Sequence, residues 1–109
     1  MSPPPNPTLA HLASALSEDD ARELVRIFLA EFPTLRETMS RGNSRECYMA
    51  AHSLKSSAQH MGLEALAERA ADLESRLADP AAKIEAADLE GINRDFELQA
   101  DGLRAFVAP

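Results

Sequence analysis

The sequence predicts an all-α protein, an antiparallel up-down-up-down four-helix bundle preceded by a short extra helix. Three observations lead there. The chain has 109 residues, enough for one core and too few for two. Its apolar fraction is 45% with only 5% aromatic and no Trp, so Leu, Ala, Ile, Val and Met must fill that core, as they do between packed helices. Its apolar residues recur at helical spacing in four long segments joined by short connections, and no strand alternation or repeat interrupts them.

Residues 1–7 hold four prolines, which lack amide donors and favour extended backbone; they read as a disordered tail, with the folded domain spanning 8–109 and starting near Thr8. Leu9, Leu12, Ala13 and Leu16 then fall on one side of a short helix that closes one end of the core. Ser17 followed by Glu18, Asp19 and Asp20 is an N-cap with acidic residues in the first turn, where free amides and the positive dipole end favour them. The helix it opens carries Leu24, Ile27, Phe28, Leu35 and Met39 on its apolar period, is expected to bend or break at Pro33, and stops at Arg41-Gly42.

Asn43 with Glu46 three residues on forms a capping box for a helix running to about Met61, with Gly62 as its stop. From Leu63, the residues Leu66, Ala67, Ala70, Leu73 and Leu77 make a narrow apolar stripe. Glu74 falls on that stripe, placed either to hydrogen-bond near a neighbouring helix or to snorkel outward. Asp79-Pro80 marks a turn, and a last helix from about Ala82 to Val107 presents Leu89, Ile92, Phe96, Leu103 and Val107, weakened by Gly91 and Gly102.

Composition excludes several function classes. Eleven basic against 18 acidic residues leave a formal charge of −7, which repels nucleic acid. The lone Cys47 forms no intrachain disulfide and has no ligand set for zinc; it sits on an apolar helix side and reads as a small hydrophobe in a reducing cytosol. No signal peptide or stretch long enough to span a membrane is present, so a cytoplasmic protein is expected. The sequence also lacks a P-loop or other Gly-rich phosphate cradle.

The chemistry concentrates at 51–62, AHSLKSSAQHMG. With His52 at 0° on a helical wheel, Cys47, Ala50, Ala51, Leu54, Ala58 and Met61 gather on the far side, while Tyr48, Lys55, Ser56 and Gln59 lie within about 60° of it. His52 is therefore expected to face solvent, where one nitrogen of a neutral imidazole keeps a lone pair able to attack phosphorus. Lys55, one turn on, can offset phosphoryl charge, and Ser56 and Gln59 can add hydrogen bonds. His60 lies about 80° round the helix and two turns away, too far to share a metal with His52. No metal site is expected, and His60 and His11 read as surface residues.

These residues resemble the signature of histidine-containing phosphotransfer domains, in which a histidine precedes an apolar residue at +2, Lys at +3, usually Gly at +4, and Gly at +10. The matches here are His52, Leu54, Lys55, Ser57, Ala58 and Gly62. A given histidine meets Leu, Lys and Gly at those offsets by chance on the order of once in a few thousand. The departure is Ser56 at the usual glycine, which adds an oxygen and a methylene to the surface a partner must approach.

The resemblance implies a monomeric phosphocarrier of a multistep, two-component phosphorelay, without nucleotide site or autokinase activity. His52 would be the phosphoacceptor and Lys55 its charge partner, with Ser56 and Gln59 in support. The implied partners are response-regulator receiver domains, which bring their own Mg²⁺, and a hybrid histidine kinase. Leu16, Tyr48, Met49 and Met61 are the candidate docking residues. Ser56 motivates an alternative, a pseudo-phosphotransfer adaptor that binds receivers or kinases without being phosphorylated; a third reading is an unrelated helical module in which the motif is accidental.

Overall fold

The computed structural model describes residues 2–109, which form five helices and no strand. They are α1 (Pro7–Ala15), α2 (Glu18–Arg41), α3 (Ser44–His60), α4 (Glu64–Leu77) and α5 (Ala86–Val107).

Helix α1 begins one residue before the expected start at Thr8. Pro7 occupies the first helical position, where its missing N–H is no loss, and the Asn6 side chain caps the turn by accepting from the Leu9 amide at 2.9 Å. Asn6 also donates from Nδ2 to the Met61 carbonyl at 2.8 Å, tying α1 to the end of α3, and Leu9 is fully buried beneath it.

Ser17 caps α2 as expected, accepting from the Asp20 amide at 3.0 Å. Contrary to the expectation of an interruption, α2 stays helical through Pro33. Val25, Phe28, Phe32 and Met39 are buried on both sides of the proline, so packing holds the helix where local chemistry alone would break it. The capping box at the start of α3 is complete: Asn43 Oδ1 accepts from the Glu46 amide at 2.9 Å, and Glu46 Oε1 accepts from the Asn43 amide at 3.0 Å.

At its other end α3 closes in a Schellman motif. The Leu63 amide donates to the Ala58 carbonyl at 2.9 Å and the Gly62 amide to the Gln59 carbonyl at 3.2 Å, with Gly62 at φ +74°. A Cβ at Gly62 would collide with the Asn6 side chain, which the cap of α1 already fixes. Gly62→Ala is expected to cost about 1–2 kcal/mol from the left-handed backbone alone, read as a lower urea midpoint at unchanged m-value.

Helix α5 starts four residues later than the expected Ala82. Ala82 instead closes a turn on the Asp79 carbonyl at 3.0 Å, and the helix opens where Asp88 Oδ2 accepts from the Glu85 amide at 2.8 Å. Gly91 does not interrupt it: Arg69 of α4 lies across the space a side chain would fill and pairs with Asp95 at 2.5 Å.

Helix α3 packs on α2 and α4, and α5 closes the ring against both α2 and α4, while α1 rests on α2. Arg22 near the start of α2 donates from Nε to the Phe106 carbonyl at the end of α5 (3.2 Å), whereas Arg36 further along α2 reaches Asn93 early in α5. Arg69 and Arg76 of α4 likewise meet Asp95 and Asp88 of α5 in reverse order. The core holds the expected α4 stripe of Leu66, Ala67, Ala70, Leu73 and Leu77, with Ala51, Leu54 and Ala58 of α3 opposite.

Candidate functional site: His52 and its carboxylate partner

Burying Ala50, Ala51, Leu54 and Ala58 turns the opposite side of α3 outward, and His52 stands there in mid-helix with its side chain 53% exposed. It is not isolated. Nδ1 of His52 hydrogen-bonds to Oε2 of Glu74 on α4, and the Lys55 ammonium donates to Oε1 of the same carboxylate at 2.6 Å. Glu74 is only 14% exposed. Of the two outcomes open for it on the apolar stripe, the structure shows the hydrogen bond to a neighbouring helix.

The charge state of Glu74 follows from those contacts. The Lys55 hydrogen bond above all, and then the His52 ring, hold its carboxyl below the ordinary value against the opposing effect of burial. An ionised carboxylate only accepts hydrogen bonds, so the proton between the two groups belongs to Nδ1. In the neutral form of the ring the lone pair is then on Nε2, which has no partner among the described residues. Lys55 thus acts at two removes: it neutralises the carboxylate that orients the histidine, and it stands one turn from the ring.

The remaining expected site residues divide. Ser56 is half-buried and Gln59 exposed on the same side as His52; Met49 and Leu16 are exposed; Tyr48 is half-buried, packed against the core. Met61 is a correction. Its side chain is 4% exposed at the α3 C-cap, packed into the core, and meets the surface only where it lines the groove between α1, α2 and α3. Gly62 is the helix stop it was expected to be. Cys47 is buried, with its thiol directed at the Gly42 carbonyl (3.3 Å); burial first, and Glu46 second, push its pKa up, which keeps it an unreactive thiol. Among the described residues no cluster of His, Cys, Asp and Glu could hold a metal ion, and no helix is long and apolar enough to cross a membrane.

Two residues on the apolar period of α2 face outward. Ile27 is 51% exposed and Leu24 is exposed as well, because the buried face of α2 runs through Ala21, Val25, Phe28 and Phe32. With Leu12 of α1 and Gln59 and His60 of α3 they line a largely apolar groove of about 490 Å³. Its α3 wall lies on the flank of His52 that carries Met49 and Ser56. The signal was present in the sequence: Leu24 and Ile27 sit about 70° and 130° round the wheel from the line through Val25 and Phe28, both on the same side of it.

Among the described residues, His52 is the histidine that combines an exposed mid-helix position with a bonded carboxylate and an unengaged Nε2. The family model for the Hpt domain matches residues 23–106, and the chain belongs to that family. Hpt domains carry phosphoryl groups on histidine in phosphorelays and interact there with receiver domains and histidine kinases. No curated protein and no solved structure matched the chain.

Proposed function

We propose that this chain is a histidine phosphotransfer carrier of a multistep phosphorelay, with His52 accepting a phosphoryl group on Nε2 from a receiver aspartate and passing it to another receiver. The observation that carries this reading is the half-exposed His52 ring with Nδ1 engaged by Glu74, which leaves the Nε2 lone pair pointing away from the bundle's own groups. In the transfer, Nε2–P forms as the acyl phosphate P–O bond breaks, and the aspartate leaves with the bonding pair as a carboxylate. The receiver supplies Mg²⁺; Lys55 and Gln59 flank the phosphoryl group on the carrier side.

The receiver docks over the α1–α2–α3 groove, whose lining includes exposed Leu24 and Ile27 together with Gln59 from the His52 side of α3; Leu16 and Met49 add exposed apolar area outside it. Docking there places Ser56 at the contact. The reversed pairings of α2 with α5 and of α4 with α5 support an up-down-up-down bundle as the monomeric scaffold.

Incubation with phosphorylated receivers and Mg²⁺ is expected to label the protein with acid-labile, base-stable phosphate. Stable receiver binding with no labelling by any donor would sink the carrier reading and establish the adaptor reading that Ser56 favours.

A further inference from the structure

The contact between His52 and Glu74 has work left to do after the ring is phosphorylated. Attack by Nε2 leaves a phosphoimidazolium: the new Nε2–P bond uses the lone pair, and the ring becomes cationic while Nδ1 keeps its proton. To pass the group on, Nε2–P must break with its electron pair returning to Nε2. If Nδ1 still holds its proton the leaving group is a neutral imidazole; if the proton has gone, it is an imidazolide anion, a far poorer leaving group. Whatever holds the Nδ1 proton therefore controls donation, separately from acceptance.

Resting on the carrier reading above, the geometry points to Glu74 as a positioning residue for the donation half of the cycle: its carboxylate, bonded to Nδ1 of His52 and neutralised from behind by Lys55, keeps the phosphohistidine protonated and hence reactive above neutral pH. The carboxylate is shielded, at 14% exposure, although the ring is half exposed, so solvent screens their attraction only in part. Lys55 occupies Oε1 and the ring Oε2, so the lysine keeps Glu74 ionised without displacing the histidine. The charged groups facing His52 are few. Lys55 comes from α3 itself and Glu74 from α4; α1, α2 and α5 place no ion-pair partner on Glu74 among the described residues.

The test uses Glu74→Gln, whose amide oxygen can still accept from Nδ1 and so orient the ring, yet carries no charge to hold the proton. Wild type and variant are phosphorylated by a receiver, freed of donor, and given fresh receiver at a series of values between about pH 6 and 9. Donation by the variant is expected to fall at lower pH than donation by the wild type. At the alkaline end the wild type should be about tenfold faster, the factor that one unit in the ring pKa carries.

Profiles of the same shape, offset by a constant factor, would overturn the proposal and leave Glu74 a structural link between α3 and α4. A wild type that takes no phosphate from any receiver would overturn the carrier reading itself, a different outcome from a labelled wild type with superimposable profiles. A second measurement needs no variant: the protein is phosphorylated chemically with phosphoramidate and His52 is titrated by ¹⁵N NMR. Its Nδ1 is expected to lose its proton at higher pH than in a phosphohistidine peptide; an equal or lower value would overturn the proposal.

Discussion

His52→Gln is expected to abolish phosphoryl labelling completely while leaving the fold and receiver binding in place. Glutamine offers no nucleophilic nitrogen, because its amide lone pair is delocalised into the carbonyl. It is a good helix former at a half-exposed position, so the change in stability should stay within about 0.5 kcal/mol. Its amide can still donate to Glu74 and preserve the link between α3 and α4. The groove that would dock a receiver is built from Leu12, Leu24, Ile27 and Phe28 and does not include position 52, so affinity for an unphosphorylated receiver should change little.

The informative failure would be label that persists on the variant. The other histidines are His11 and His60, and both line the groove. Acid-labile phosphate on His60 would mean that a receiver seated in the groove reaches the last turn of α3 instead of its middle. Peptide mapping of the labelled protein distinguishes that outcome from a clean loss.

What could be read in the sequence was what depends on one helix at a time. Ser17 and the Asn43–Glu46 box each bond to amides three residues away, so local spacing determines them, and the structure shows the contacts where the pattern placed them. The outward face of α3 is likewise a property of one wheel. Glu74 was visible only as an anomaly, a carboxylate on an apolar stripe. Its role depends on how far α4 is displaced along α3, which no single-helix pattern contains.

The same limit explains Leu24, Ile27 and Met61. An apolar residue at the edge of a stripe is buried or exposed according to what packs beside it. Helix α1 rests on α2 without covering the Leu24–Ile27 edge, while Asn6 fastens α1 over the C-cap of α3 at Met61. Pro33 errs in the opposite direction: the local rule is sound, and the burial of Phe28, Phe32 and Met39 overrides it.

Phe32→Ala should produce the largest loss of stability. Phe32 of α2 is 1% exposed and stacks on Phe96 of α5, with ring centroids 3.8 Å apart and planes 5° from parallel; Phe28 packs against both at 6.1–6.3 Å. These three rings are most of the aromatic content of the chain, and they sit where α5, the last helix, closes against α2. Truncation removes the buried ring and leaves Phe96 facing a void that flanking helices can only partly close. The cost is expected to be about 3–5 kcal/mol, a large share of the roughly 5–15 kcal/mol that holds a domain folded. A melting temperature lower by about 15–25 °C follows, since each kcal/mol moves a domain of this size by several degrees. His52, Lys55 and Glu74 lie on α3 and α4 and are held by their own hydrogen bonds, so labelling measured well below the new melting temperature should match the wild type. A loss under about 1 kcal/mol would show that α5 is held mainly by its polar links. These are the Arg22–Phe106, Arg36–Asn93, Arg69–Asp95 and Arg76–Asp88 contacts.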